Sequence, residues 1–362
     1  MRHPIHLIPR LTIGIDLGDS RSAYSIINRD GNWVERATVP TNEAAFRKRF
    51  GKWQPCRVVI EACNASAWVA ALLEELGHEV IVANGRAMMQ SPRRGRRKSD
   101  RSDADGLARL GRCDVALLAP ITHRSKDARL ARSLLVGRDC AVGARTKLIN
   151  CLRGSLKTHN VRLPKCSTEA LPNKIHDLPS ELEHLVRPMI DLIEQVTAVI
   201  RRYDKMVEAT LERQYPEASR LLRQIKGVGP VTALAFAASI ENPERFPNGR
   251  VVGAYLGLVP RLDESGETSG KSQLRISKAG DPLLRRLLIQ AAHYIVGGLN
   301  KQDSALRQWA LMKIGSGSDR IRKRKIIVAT ARKLAVLLHA LLRSGEDYEP
   351  FRDAVDLDVA VA

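Results

Sequence analysis

Three carboxylates fall within six residues in the run Lys98-Ser99-Asp100-Arg101-Ser102-Asp103-Ala104-Asp105. Arg93, Arg94, Arg96 and Arg97 precede the run, and Arg109 and Arg112 follow it. Acids in a basic field suit a metal-dependent active site that also holds a polyanion. Ser99 or Ser102 can cap a helix start. With that helix running by Asp100, Asp100 and Asp103 are i and i+3 and share a face, while Asp105 points elsewhere. Two carboxylates side by side repel unless a cation lies between them. The same residues also suit a plain capped helix, whose macrodipole favours acids in its first turn. The run by itself leaves both readings open.

The elements around it supply further acids. Leu11-Thr12-Ile13-Gly14-Ile15-Asp16-Leu17-Gly18 reads as a buried strand ending in a tight turn. Ala23 to Asn28 is a second strand, Asn28-Arg29-Asp30-Gly31-Asn32 a hairpin turn, and Val34 to Val39 a third, antiparallel strand. A helix opens at Thr41-Asn42 and runs to about Phe50. Arg57 to Ala62 is another strand, with Glu61 near its C-terminal end. Ala65 to Leu76 is helical and stops at Gly77, and His78 to Asn84 is the last strand. Three antiparallel strands followed by alternating helix and strand make a mixed α/β sheet. Strand ends are where such folds gather their sites. Asp16, Glu61, Asp100 and Asp103 converging there could hold two Mg²⁺ ions, with Mn²⁺ as a substitute. Two metals can activate an attacking oxygen and stabilise a leaving one in phosphodiester chemistry. Taken singly, Asp16 also reads as a turn residue and Glu61 as a solvated strand end.

GIDLG, VVIEA and KSDRSDADGLA, in this order and spacing, resemble the N-terminal half of the DEDD insertion-sequence transposases (the IS-one-ten family). The resemblance implies a RuvC-like variant of the RNase H fold over residues 10–128. It maps a catalytic, metal-binding tetrad onto Asp16, Glu61, Asp100 and Asp103, with Asp105 outside. Members of that family move mobile elements, and some are guided by a bridge RNA.

Composition agrees with a nucleic-acid partner. The chain has 362 residues, net charge +20 and pI about 10.1, a field that favours nucleic acid or an anionic membrane surface. It contains no apolar run of the roughly 18 residues a membrane span needs, and its N-terminus lacks the features of a signal peptide. Cytoplasmic placement in a bacterium, near the nucleoid when active, is the expectation. The cysteines at 56, 63, 113, 140, 151 and 166 form no CxxC pair, so they read as free thiols rather than zinc ligands. Aromatic residues are only 4%, which argues against binding through stacked bases and for Arg and Lys contacts to phosphates.

The second half reads as helical. Asp127 to Asn160 is an amphipathic helix with Leu130, Leu134, Leu135, Cys140, Leu148, Leu152 and Leu156 on one side and a cationic face on the other. Val161 to Pro179 is an irregular, proline-containing link. A long helix starts at Pro179-Ser180-Glu181 and runs to about Arg213. Leu182, Leu185, Met189, Leu192, Val196, Val199 and Tyr203 form a stripe suited to a coiled coil, an oligomerisation or spacer element. Residues 129–215 are thus expected to be a helical linker and coiled coil. From Leu221 to Leu234, helix, Gly227-Val228-Gly229, then helix is the helix-hairpin-helix pattern. Its glycines permit a tight turn, and the next helix N-terminus offers N–H groups to a phosphate. Residues 216–345 form the last domain, and the acidic stretch 346–362 reads as a disordered tail.

Within that last domain GLVPR, ESG, ISKAGD and LRR resemble the C-terminal domain of the same transposases, where a serine attacks DNA and forms a phosphoserine link. The match falls on Ser265, with Ser269 and Ser272 as fallbacks. From bare sequence these are ordinary loop serines. Arg261, Lys271, Arg275 and Lys278 could neutralise a phosphate but cannot serve as the base. Arg322, Lys323, Arg324 and Lys325 belong to a cationic patch suited to phosphates.

The reading that absorbs most residues is a Mg²⁺-dependent DNA transposase that cuts and rejoins donor and target DNA through Ser265, guided by a bridge RNA. The resemblance also implies a homo-oligomer, dimer or tetramer, with composite active sites and no membrane partner. The alternative is a Holliday-junction-type endonuclease, with metal-activated water in place of Ser265. GIDLG also opens sugar-kinase and actin-like ATPases, but a second Gly-rich phosphate loop and an adenosine motif are missing. A non-enzymatic basic scaffold leaves the spaced acids unexplained.

Overall fold

A computed structural model describes residues 10–85, 99–175, 178–261, 275–298, 302–315, 317 and 319–351. The chain divides into two compact units, residues 1–123 and 124–362.

The first unit is a five-stranded mixed sheet. Its strands are β1 (Leu11–Asp16), β2 (Arg21–Asn28), β3 (Trp33–Pro40), β4 (Arg57–Glu61) and β5 (Glu79–Ala83), ordered β3-β2-β1-β4-β5. β1–β2 and β2–β3 are antiparallel, while β1–β4 and β4–β5 are parallel. This is the order of an RNase H-like fold, so the expected α/β architecture holds. Side chains alternate across β1 because the strand period is two. Ile13 and Ile15 face a core with Phe46 and Phe50 of α1 (Glu43–Phe50) and Leu73 of α2 (Ser66–Glu75). Thr12, Gly14 and Asp16 therefore face the other side, where α3 (Asp100–Cys113) lies. Val59, Ile81 and Ala83 meet Leu107 and Leu118 on that side.

α3 sits directly on β1. A Cβ on Gly14 would come within 2.2 Å of the Ala104 carbonyl oxygen and 2.3 Å of the Ala108 nitrogen. One on Gly111 would lie 2.2 Å from Val59 Cγ2 and 3.5 Å from Thr12 Cγ2. Small residues let the two backbones touch. Asp105 then pins the helix to the antiparallel half of the sheet. It accepts from Ser25 Oγ at 2.6 Å and from Arg36 Nε and Nη2 at 3.1 and 3.0 Å. Arg36 in turn lies 3.7 Å over the Trp33 ring.

The second unit is helical. Helices α4 (Lys126–Thr158) and α5 (Ser180–Gln214) form a long antiparallel hairpin. At its far end Ile149, Leu152 and Leu156 of α4 pack on Leu182, Val186, Ile190 and Ile193 of α5. At its base Ala128, Ala131 and Leu135 join Val207 and Leu211 in a larger core. That core includes α6 (Pro216–Leu222), α7 (Pro230–Ile240), α8 (Gly249–Tyr255), α9 (Pro282–Val296), α10 (Ala305–Ile314) and α11 (Arg320–Ser344).

The long helix begins and ends where its spacing predicts, and Pro188 does not interrupt it. Its buried face is different from the one expected. Val186, Ile190, Ile193, Thr197 and Ile200 meet α4, whereas Leu185, Leu192 and Met206 are 72%, 43% and 54% exposed. The helix carries two adjacent apolar stripes, and periodicity alone does not say which one the hairpin uses. The same ambiguity affects α4, where Leu130 is 56% exposed while Ile149 and the Arg145 side chain are buried. The tail expected from residue 346 is anchored over its first residues. Asp347 accepts from Gln224 Nε2 at 2.8 Å and from Arg220, and the Tyr348 amide donates to Gln224 Oε1 at 2.7 Å.

Asp105→Ala is expected to lower the stability of the first unit by about 2 kcal/mol, because it strands a half-buried guanidinium. Asp100→Asn, at an exposed position, should stay within about 0.5 kcal/mol. Thermal melts of the two variants check this. Equal melting points would refute the tie.

Candidate active site and nucleic-acid interface

Asp16 ends β1 and Glu61 ends β4, and these neighbouring strands run parallel with Ile15 opposite Ile60. The two acids are thus next to each other at the C-terminal edge, on the α3 side of the sheet. Ser99 caps α3, and the cap is reciprocal. The Ser102 amide donates to Ser99 Oγ at 3.2 Å and the Ser99 amide to Ser102 Oγ at 3.2 Å. The capped start fixes Asp100 and Asp103 in the first turn, where the helix dipole favours them. Both lie on the face continued by Leu107, which packs on Val59.

Simple rises relate these acids. α3 runs antiparallel to β1, since Gly14 meets Ala104 while Thr12 meets Gly111. From that contact, Asp16 is two strand residues on, about 6.6 Å. Asp100 is four helical residues on, about 6 Å. Strand and helix carry their acids beyond the contact by the same distance. The backbone thus brings the four positions to one end of the sheet.

The side chains do not form a closed set of ligands. Among the described residues no group of three or more His, Cys, Asp or Glu is close enough to hold a metal ion. Glu61 is turned toward the segment after β5. A Cβ on Gly85 would lie 2.0 Å from Glu61 Oε1. Three free torsions separate that carboxylate from its backbone, so re-aiming it needs no backbone motion. The donor chemistry fits a divalent cation: four carboxylates offer hard oxygens and excess negative charge, as Mg²⁺ or Mn²⁺ requires.

The flanking cations divide. Arg112 Nε donates to the Arg29 carbonyl at 2.9 Å, and Arg109 lies 5.2 Å from the Trp33 ring centroid, so both serve the fold. Arg93, Arg94, Arg96, Arg97 and Lys98 lie outside the described residues, as do Ser265, Ser269, Lys271 and Ser272.

The ends of the segment carrying those serines are well held. Pro260 and Ile276 form an antiparallel bridge, the Arg261 amide donates to the Arg275 carbonyl at 3.0 Å, and the Ser277 amide to Val259 at 2.9 Å. Gly257 (φ +67°) and Gly280 (φ +72°) close this stem. A Cβ on Gly257 would lie 2.2 Å from the Ala279 oxygen, and one on Gly280 would lie 2.1 Å from the Tyr255 oxygen. Lys278 sits on the same stem with φ +55°. Buried Arg285 crosses the stem, donating to the Leu256 carbonyl at 3.1 Å and to Ala279 at 2.7 Å. Burial pulls its guanidinium below the ordinary arginine range. Asp281 caps α9 through the Leu283 amide at 2.8 Å and pairs with Arg132. Burial alone would raise the Tyr255 phenol, but Arg124 and Arg245 beside it hold it below its usual value. Arg285 and Asp281 were missed as positioning residues. The Asp-Pro helix start was a usable signal for Asp281, whereas an Arg in a Leu-Arg-Arg run gives no hint of burial.

Gly227 and Gly229 form the expected turn before α7. Gly227 has φ +101° and packs against Tyr294 and Ala291, while a Cβ on Gly229 would meet nothing. An open cleft of about 500 Å³ lies there, lined by Lys226, Arg223 and both glycines. The patch Arg322, Lys323, Arg324 and Lys325 forms the exposed start of α11, which begins at Arg320. The Asp319 carboxylate caps this start through the Arg322 amide at 2.7 Å, so one anion already meets the positive end of the helix dipole.

Residues 13–161 match the family model for DEDD IS110 transposases, and residues 219–308 match one described as the transposase IS116/IS110/IS902 family. A probable family 20 transposase of Pseudomonas aeruginosa is 31% identical over 93% of this chain and 98% of its own length. The chain belongs to the IS110 family of transposases. The transposase for insertion sequence element IS1328 of Yersinia enterocolitica is 27% identical over 93% of this chain and 98% of its own length. That for IS1111A of Coxiella burnetii is 28% identical over 69% and 68%. An IS110 transposase is a DNA-cutting and rejoining enzyme of insertion sequences, and its DEDD domain is of the nuclease type that generally uses divalent metal ions. Among the described residues no helix is long and apolar enough to cross a membrane.

Arg285→Ala should loosen the stem without unfolding the helical unit. Amide exchange at Arg261 and Ser277 is expected to rise about tenfold, the equivalent of one charged hydrogen bond removed. Unchanged exchange at both amides would exclude Arg285 from this role.

Proposed function

We propose that this IS110 transposase exchanges DNA strands through a Mg²⁺-dependent centre of Asp16, Glu61, Asp100 and Asp103 with Ser265 as the nucleophile. The observation that supports the metal centre is the Gly14–Ala104 contact, which seats α3, the helix of Asp100 and Asp103, on β1, the strand of Asp16. The four carboxylates would hold one or two Mg²⁺, or Mn²⁺, and the ions would supply charge neutralisation at the scissile phosphate. Ser265 Oγ attacks phosphorus, its bond to phosphorus forms as the P–O3′ bond breaks, and the hydroxyl proton ends on the departing 3′-oxygen. A second 3′-hydroxyl then attacks the 5′-phosphoserine, releases the serine with its proton and restores a phosphodiester. One ester is exchanged for another at each step, so no nucleotide hydrolysis is needed. The stem Val259–Arg261 and Arg275–Ser277 anchors the nucleophile's segment. Arg261, Arg275 and Lys278 supply positive charge beside it. Gly227 and Gly229 offer amides to a DNA phosphate, as does the cationic start of α11.

Donor and target DNA are the substrates. Sequence choice is assigned to a bridge RNA, in keeping with an interface that contacts backbones rather than bases. The working form is a homo-oligomer, and the exposed stripe Leu185, Leu192 and Met206 on α5 is consistent with a second copy of the helix.

With Mg²⁺ and donor DNA, the wild type should give a covalent protein–DNA adduct on a denaturing gel, and Ser265→Ala should give none. Asp16→Asn and Asp103→Asn should each reduce adduct formation by more than the roughly 10–100-fold that losing a mere partner of a metal ligand costs. If Ser265→Ala still cuts at the wild-type rate, water is the nucleophile and the junction-endonuclease alternative replaces this reading. RNA recovered with the purified protein and mapping beside its own gene would support guidance, and its absence would refute it.

A further inference from the structure

At the far tip of the α4–α5 hairpin lies a cavity of about 720 Å³ lined by Arg153, Lys157, Arg162 and Lys165, together with Asn160 and Cys166. It shares no residue with the acid end of the sheet, the glycine turn or the serine stem. The cavity is part of a built structure. Val161, Leu163, Cys166 and fully buried Leu171 pack on Ile149, Leu152 and Leu156, so the connection after α4 is folded against the hairpin.

Its charge is not explained by the fold. Among the described residues no carboxylate pairs with any of the four cations. The nearest acid on the connection, Glu169, is committed to Arg145 at 3.8 Å and Arg201 at 3.9 Å. The C-terminal end of a helix carries about half a negative charge, and four full positive charges exceed that several-fold. Like charges gathered around one cavity repel, and an anion between them removes the repulsion. The ligand's class follows from what the lining lacks. Among the described residues no aromatic side chain lines the cavity, so it lacks the ring platform that single-strand binders use. Cations without rings recognise a sugar–phosphate backbone whose bases are turned inward.

We propose that the hairpin tip is a phosphate clamp for the backbone of duplex DNA. This rests on reading the chain as an enzyme of DNA. Contacts of this kind would contribute affinity without sequence preference.

The test uses the full-length protein and a 30-base-pair duplex. Arg153→Gln, Lys157→Gln, Arg162→Gln and Lys165→Gln are combined in one variant. Among the described residues none of these four side chains makes a hydrogen bond, so the variant's melting point should match the wild type. The slope of log K against log salt falls by about 0.9 for each phosphate the protein no longer neutralises, so the variant's slope should be shallower by about 2 to 4. Duplex DNA should slow iodoacetamide alkylation of Cys166, followed by peptide mass spectrometry, several-fold in the wild type and not in the variant. Wild-type binding with an unprotected Cys166 and an unchanged slope would overturn the clamp while leaving the enzyme reading intact. Protection by duplex or single-stranded RNA but not by DNA would also overturn it. A wild type that binds no DNA at any salt would instead overturn the reading on which the clamp rests.

Discussion

The acid end of the sheet depends on one close approach, the seating of the α3 backbone on β1 at Gly14. The gap is too small for any side chain, since a Cβ there would lie 2.2 Å from a main-chain oxygen that cannot move without breaking the helix. Ala104, Ala108 and Gly111 continue the contact on the helix side. Packing this close limits the sliding of helix along strand, because ridges of small residues leave no slack. Asp100 and Asp103 inherit their positions relative to Asp16 and Glu61 from that register. The reciprocal Ser99–Ser102 cap sets where the helix starts, and Asp105 sets its rotation by holding Arg36 and Ser25. Three unlike interactions therefore fix height, start and rotation of a single helix.

Electrostatics divides the molecule's positive charge by purpose. Among the described residues beside α3, Arg112 is held on a carbonyl and Arg36 on Asp105. In the second unit, groups of cations gather at the glycine turn, the start of α11 and the hairpin tip, and others flank the serine stem. The tip costs stability in the absence of an anion because it gathers like charges, whereas the start of α11 already has the Asp319 carboxylate at its cap. A net charge of +20 on a DNA-handling enzyme thus includes several groups of cations at the surface. Phosphates neutralised at several separate places give strong, salt-sensitive and sequence-neutral affinity, which suits the proposed delegation of sequence choice to an RNA.

Much of the first unit could be read directly. Alternating Ile residues with Thr12, Gly14 and Asp16 between them announce a strand with two different faces, and both strand-end acids fall where alternation puts them. Ser99 as cap was legible because capping is a local event. The role of Asp105 was not, since it depends on Arg36 and Ser25, which are 69 and 80 residues away in the chain. The long helix was legible in extent but not in rotation. Leu185-Met189-Leu192 and Val186-Ile190-Ile193 have the same spacing, and only the partner helix chooses between them. Burial of Arg145 and Arg285 was hidden for a related reason: a cation reveals a buried position only when its acceptors are known, and those are main-chain oxygens or residues far along the chain.

The serine stem solves in the second unit the problem that Gly14 solves in the first. The proposed nucleophile has to be held in place to attack, and fixing one residue costs on the order of 1 kcal/mol. Holding both ends of the segment removes part of that cost in advance. Gly257 and Gly280 allow main chain to meet main chain, and one guanidinium bonds to Leu256 and Ala279 on opposite sides of the stem. Asp281 then links the stem's exit to α9 through its cap and to α4 through Arg132. In both units, then, the proposed chemistry falls to ordinary acids or an ordinary hydroxyl. The positioning falls to contacts between backbones, which tolerate glycine and almost nothing else.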